Sequence, residues 1–186
     1  KKPLKVKAKK PSLKTNENQT HKIDFNKKEE EVLRTKLPKI NLKHEDTKVL
    51  RALVKDMRRI MQGANGVGLS ANQVGINKRL FIAEIPNEQG TSKFYTIINP
   101  KITKRSRKRK LFEEGCLSVP HTCGTIERSE KVTIEGLNIN GKKVKITAWG
   151  FLAQVFQHET DHLDGMLYID SATQTFDTEL RDREST

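Results

Sequence analysis

Apolar side chains recur at Val49, Leu50, Leu53, Val54, Met57, Ile60 and Met61, the three- and four-residue spacing of one helix face. Asp46 or Thr47 can cap the start of this helix and Gly63 can end it. The stripe is read as core, with its methionines as packing. A second stripe of Leu152, Val155, Phe156, Glu159 and Leu163 predicts a helix over 149–163 that stops at Gly165. Between the two, residues 65–75 are punctuated by glycine, so the backbone there can come close to another group. Residues 79–85 form an apolar run with few breaks, and 94–99 a second run that Pro100 is expected to stop. The stretch 101–112 reads as a charged strand or hairpin. Residues 131–137 and 142–147 alternate apolar and polar about the polar turn 138–141, a hairpin pattern. Helix, antiparallel strands, helix is an α+β order. It predicts antiparallel sheets packed around a C-terminal helix, with one further N-terminal helix.

A chain of 186 residues is long enough for one well-buried core. Its hydrophobic fraction of 34% and charged fraction of 32% point to a soluble body with polar appendages. No apolar run is long enough to span a bilayer, and none near the start reads as an intact secretory signal. The net charge of +13 is concentrated in two places. Residues 1–22 carry eight lysines against one glutamate, and 101–110 carry Lys101, Lys104, Arg105, Arg107, Lys108, Arg109 and Lys110 with no acid. The first is read as a disordered, solvated extension, either the remnant of a targeting segment or vector-derived residues. The second is read as a solvated hairpin in preference to an RNA contact. The expected division is an extension at 1–22, a catalytic domain at 23–175 and a polar tail at 176–186. Two cysteines, Cys116 and Cys123, are too few for a disulfide scaffold and favour a reducing compartment.

The densest chemistry lies in Gln157-His158-Glu159-Thr160-Asp161-His162. Histidines four apart on a helix project from one face, so both rings can reach one divalent cation. Glu159, beside the ligands, is placed to take a proton from a water on that cation. The third ligand is left open by this string. In the extended protease pattern it would be a histidine at 168, where this chain has Tyr168, although Gly165 matches. A downstream glutamate could come only from Glu179 or Glu184, both in the charged tail. Cys116, in Glu114-Gly115-Cys116-Leu117-Ser118, remains the best candidate, giving a Cys-His-His set with one open position. The ligand types alone suggest zinc. Two helical histidines without such a role would be buried polar groups lacking partners, which is costly. Cys123 carries no flanking pattern and reads as a small strand residue.

Taken in order, Gly66-Val67-Gly68-Leu69-Ser70-Ala71-Asn72-Gln73, Glu114-Gly115-Cys116-Leu117-Ser118 and His158-Glu159-Thr160-Asp161-His162 resemble the three motifs of peptide deformylase. The resemblance spans 23–170 and implies the same α+β fold. It implies a metal-dependent hydrolase that removes the formyl group from the N-terminal formyl-methionine of nascent polypeptides and releases formate. It further implies Fe²⁺, with Zn²⁺ or Ni²⁺ able to substitute, on Cys116, His158 and His162. Glu159 would act as base, and the Gln73 side-chain amide and Leu117 backbone N–H as donors to the developing oxyanion. Gly68, Val67, Phe112 and Val155 would line the substrate pocket, and Glu114 and Arg128 would pair to steady the cysteine segment.

Two departures stand out: Ser70 where the family usually has alanine, and Lys28-Glu29-Glu30-Glu31 where it usually has a Pro-Asp-Pro-like turn. The lysine-rich start is compatible with an organelle of a eukaryote, plastid-type or mitochondrion, and a bacterial cytoplasm is the alternative. Two rival readings are a protease of internal peptide bonds and a basic RNA- or ribosome-binding protein. The latter would want aromatics among its basic residues, and 101–110 has none. Both ideas can hold together if the basic segment keeps an enzyme near ribosomal RNA. No membrane contact is expected.

Overall fold

Helix α1, Thr47–Gly63, begins where the Asp46 side chain accepts the Lys48 N–H at 2.7 Å. The structure, a computed structural model, describes residues 31–86 and 91–177. The extension expected at 1–22 and residues 178–186 of the tail lie outside the described residues. Leu50, Val54, Met57 and Met61 form the buried edge of α1. Val49, counted in the stripe from sequence, is 62% exposed, whereas Leu53 and Ile60 are partly buried at the edge of the same cluster.

Among the described residues eight strands follow: β1 Gly68–Ser70, β2 Leu80–Pro86, β3 Ser92–Arg105, β4 Arg109–Cys116, β5 Val119–Ser129, β6 Lys131–Leu137, β7 Lys143–Trp149 and β8 Gln174–Asp177. They form a five-stranded sheet, β1-β2-β3-β6-β7, and a three-stranded sheet, β4-β5-β8, with every pairing antiparallel. Helix α2, Gly150–Leu163, packs on the larger sheet. On β2, Leu80 and Ile82 join α1 in one apolar cluster, while Phe81 and Ala83 join Ala153, Val155, Phe156 and Leu163 of α2 in the other. The strand is therefore buried on both faces, which explains why its sequence is an unbroken apolar run rather than an alternation.

Three sequence expectations change. Pro100 does not stop its strand; β3 runs on to Arg105, and the proline sits at a register shift between Ile98 and Lys101, where a missing N–H costs no ladder bond. The stretch 101–112 is not a hairpin. Its first half pairs with β6 in one sheet and its second half with β5 in the other, so the basic run forms the corner where the chain crosses between sheets. Trp149 ends β7 rather than starting the helix, because Gly150, with φ +54, turns the chain from strand into helix. Trp149 is 58% exposed and has Lys131 Nζ 4.9 Å from its ring centre. The hairpin of β6 and β7 matches its alternating pattern. Strands β5 and β8 have no such pattern and are found only in the structure; Phe176 and Asp177, assigned to the tail by composition, pair with Cys123 and Thr122. No helix among the described residues is long and apolar enough to cross a membrane.

Candidate metal centre

Cys116 closes β4 and pairs with Val119, so Leu117 and Ser118 make a two-residue turn that presents its sulfur to α2. His158 and His162 stand one helical turn apart, with Nε2 atoms separated by 3.1 Å, and Cys116 Sγ lies 3.1 Å from His162 Nε2. The three ligand atoms all lie within 4.8 Å of one another. Donors about 2.0–2.3 Å from a tetrahedral ion stand roughly 3.3–3.8 Å apart, close to this spacing.

The surroundings agree with a cation. Glu114, 4% exposed, accepts from His158 Nδ1 at 2.9 Å and from Arg128 Nε and Nη2 at 2.9 Å each. A proton on Nδ1 leaves the Nε2 lone pair aimed at the other two donors. Burial works against the Glu114 charge, but His158 and Arg128 together outweigh it and hold the carboxyl down at about 2. Burial also opposes charge on His158, yet the Cys116 sulfur and Glu114 outweigh it and raise its pKa well above the ordinary value. Burial, with the charges of His158 and Arg128, pushes His162 the other way, well below its ordinary value, so one ring of the pair is left neutral, and a Cys-His-His set here fits a divalent metal ion. Arg128 extends the network to Asp161, and the Ser118 N–H reaches Cys116 Sγ at 3.4 Å.

Glu159 is 3% exposed, and its Oε2 has no hydrogen-bond partner among the described residues. Burial pushes this carboxyl up to about 7. Gln73 lies opposite in the turn after β1. Its Nε2 donates to Ser118 Oγ at 3.0 Å and lies 3.5 Å from Cys116 Sγ. Asn72 Nδ2 donates to the His162 carbonyl at 2.7 Å, tying this turn to the end of α2.

A cavity of about 520 Å³ opens on these groups, bordered by Val67, Gly68, Gln73, Cys116, Leu117, Val155, His158 and Glu159, with His162 behind them. Phe112 is absent from its lining. It sits four residues before Cys116 on β4, opposite Ile126, with Lys110 Nζ 5.7 Å from its ring centre. His121, Cys123, Phe151 and Gln154 also line the cavity, and no local sequence pattern marks them. Neither cysteine is in a disulfide. Tyr168, at the position of the extended protease ligand, is 2% exposed; its ring stacks against His158 at 6.2 Å and its hydroxyl donates to the Thr122 carbonyl at 2.8 Å. It is a wall of the centre, and its hydroxyl is engaged by the Thr122 carbonyl.

Gly68 is explained by contact rather than by backbone freedom. A Cβ there would come 2.3 Å from Glu159 Oε1, so any side chain must displace the carboxylate. Gly68→Ala is expected to retain bound metal and lose at least about tenfold in kcat, since misplacement by about 1 Å costs up to roughly 10²-fold. Metal content and steady-state rates on one preparation check this, and an unchanged kcat would contradict it.

An ion position with three protein ligands, an adjacent buried carboxylate and access from a cavity marks a metal-dependent hydrolase. Residues 22–177 match the family model of polypeptide deformylase. A peptide deformylase of Halothermothrix orenii is 45% identical over 143 residues, covering 77% of this chain and 88% of the relative. The chloroplastic peptide deformylase 1B of Solanum lycopersicum is 38% identical over 134 residues, covering 72% of this chain and 48% of that one. A Met-Ala-Ser-bound crystal structure of the class I type b peptide deformylase of Acinetobacter baumannii superposes with a TM-score of 0.70 at 34% identity, over 76% of this chain and 92% of that one. This chain belongs to the peptide deformylase family.

Proposed function

We propose that this protein hydrolyses the formyl amide at the N-terminal formyl-methionine of nascent polypeptides and releases formate. The observation that carries the reading is the convergence of Cys116, His158 and His162 beside Glu159, whose Oε2 has no hydrogen-bond partner among the described residues, at the floor of one cavity. When bound, a divalent cation supplies Lewis acidity, lowering the pKa of water toward neutrality and polarising a carbonyl. Glu159 takes the proton of the attacking water and passes it to the departing amine. The Gln73 amide and the Leu117 backbone N–H donate to the carbonyl oxygen as it gains charge. Val67, Val155 and Gly68 border the space for the methionine side chain. The tripeptide on the Acinetobacter relative supports a peptide N-terminus at this cavity. Fe²⁺ is the assigned ion, with Zn²⁺ or Ni²⁺ able to substitute; thiolate and imidazole donors suit all three.

The direct experiment offers the metal-loaded protein a formyl-methionyl peptide and an unformylated peptide with an internal bond to cut. Formate release without internal cleavage is expected. Internal cleavage alone would turn the reading toward a protease, and elemental analysis of anaerobically purified protein identifies the ion.

A second proposal concerns the basic corner between β3 and β4, which we assign to contact with ribosomal RNA. Lys108 and Arg109 are paired with Glu130 and Glu127, whereas Lys104, Arg105 and Arg107 are exposed. Trp149, beside Lys131, supplies the aromatic that the run itself lacks. Replacing the seven basic residues with glutamine should abolish co-sedimentation with ribosomes at low salt; undiminished co-sedimentation would end the idea. For location we propose an organelle, supported by the chloroplastic relative and the lysine-rich residues 1–22. A bacterial cytoplasm is the alternative, as the other relatives compared are bacterial, and fractionation of the source cells separates them.

A further inference from the structure

Ser70 ends β1, is fully buried, and opens the short turn Ala71–Val74 that carries Gln73. Its backbone N–H donates to Gln73 Oε1 at 2.8 Å, and its hydroxyl donates to the same oxygen at 2.9 Å. One amide oxygen thus takes two donors from a single residue. The two ends of a glutamine amide have nearly the same shape, so only hydrogen bonds decide which one faces the reacting group. A flipped amide would aim oxygen at the growing negative charge and repel it. With Oε1 held twice, Nε2 is left toward Ser118 Oγ and Cys116 Sγ, the side that borders the cavity. Donors on the oxygen also polarise the amide and strengthen its N–H as a donor in turn. Alanine at this position, as the motif usually carries, would leave only the backbone half of the lock.

We propose that Ser70 is a positioning residue for the hydrolysis, whose hydroxyl fixes the Gln73 amide with its N–H toward the carbonyl oxygen of the substrate. This rests on the reading of Gln73 as oxyanion donor. The Ser70 hydroxyl also acts to lower the Glu159 carboxyl's pKa, and its one proton can serve only one of the two acceptors at a time. A single substitution therefore does not tell the two routes apart, and a double-mutant cycle does.

Ser70→Ala, Gln73→Ala and the double variant are measured with a formyl-methionyl peptide. Ser70→Ala is expected to lower kcat about three- to tenfold, the worth of one hydrogen bond, with KM little changed. Gln73→Ala should lower kcat about 10²–10³-fold, and adding Ser70→Ala to it should cost less than about a further twofold. In the metal-free protein the side-chain NH₂ signals of Gln73 should form one sharp NMR pair that shifts and broadens in Ser70→Ala. The proposal is overturned if Ser70→Ala costs the same factor with and without Gln73, which would route its effect through Glu159 or packing, or if it leaves kcat and the NH₂ signals untouched. A Gln73→Ala protein with full activity would instead remove the donor reading, and the role of Ser70 with it.

Discussion

Glu159→Ala retains its metal and loses turnover, with kcat falling by at least about 10²–10⁴-fold, the usual contribution of a positioned base. The carboxylate lies outside the ligand set, so the ion keeps Cys116, His158 and His162. What disappears is the one buried acceptor at the cavity floor whose Oε2 has no other partner among the described residues. Burial raises this carboxyl to about 7 in the metal-free protein, and a cation beside it draws it back down. In the loaded enzyme the base must be ionised, so activity falls as pH drops through its pKa. In the metal-free protein the sign for stability is the reverse. A carboxyl raised from 4.5 to about 7 favours the fold while protonated, so its contribution is complete below 4.5 and is lost as pH rises toward 7. Across that window the metal-free parent should lose stability with rising pH relative to Glu159→Gln. Metal content, rates and metal-free melting curves on the same samples check all three. An active Glu159→Ala would remove the base from the mechanism.

Cys116→Ala has the opposite signature: the metal goes, and activity goes with it. The sulfur sits 3.1 Å from His162 Nε2 and is approached by the Ser118 N–H at 3.4 Å and Gln73 Nε2 at 3.5 Å. Thiolate is the form of cysteine that binds metal. Removing it leaves two imidazoles, and the affinity loss should exceed the roughly 10–100-fold seen when only a supporting partner is lost. Dialysis against a chelator followed by elemental analysis reads this directly. A variant that still holds one equivalent of metal, at parental affinity, would exclude the sulfur as a ligand.

The parts legible in the chain are those whose cause is local. The spacing of Leu50, Val54, Met57 and Met61 marks α1, and Asp46 marks its start. The pair His158 and His162 is four residues apart on a helix, so the two rings are neighbours whatever surrounds them. Alternation about the turn 138–141 marks the hairpin of β6 and β7. Strand β5 is harder to see, since its pattern is broken by Pro120, Gly124 and a left-handed His121. Phe112 illustrates the limit for the pocket: an apolar residue near a motif is a natural candidate, but position along β4 decides what it touches, and that is a matter of pairing.

By itself the sequence determined the two helices, the ligand spacing on the second, the apolar run of β2 and the concentration of charge into two segments, because each depends on contacts a few residues long. The motif also named Cys116 as a ligand and paired Glu114 with Arg128; only the tertiary structure decided that this pair is tied to His158 Nδ1, that Tyr168 stacks on His158 with its hydroxyl on the Thr122 carbonyl, and that Ser70 gives two donors to the Gln73 oxygen. Those contacts join residues far apart in the chain or turn on the direction of a single side-chain atom. Packing of the two sheets about α2 sets both, and neither periodicity nor composition encodes them.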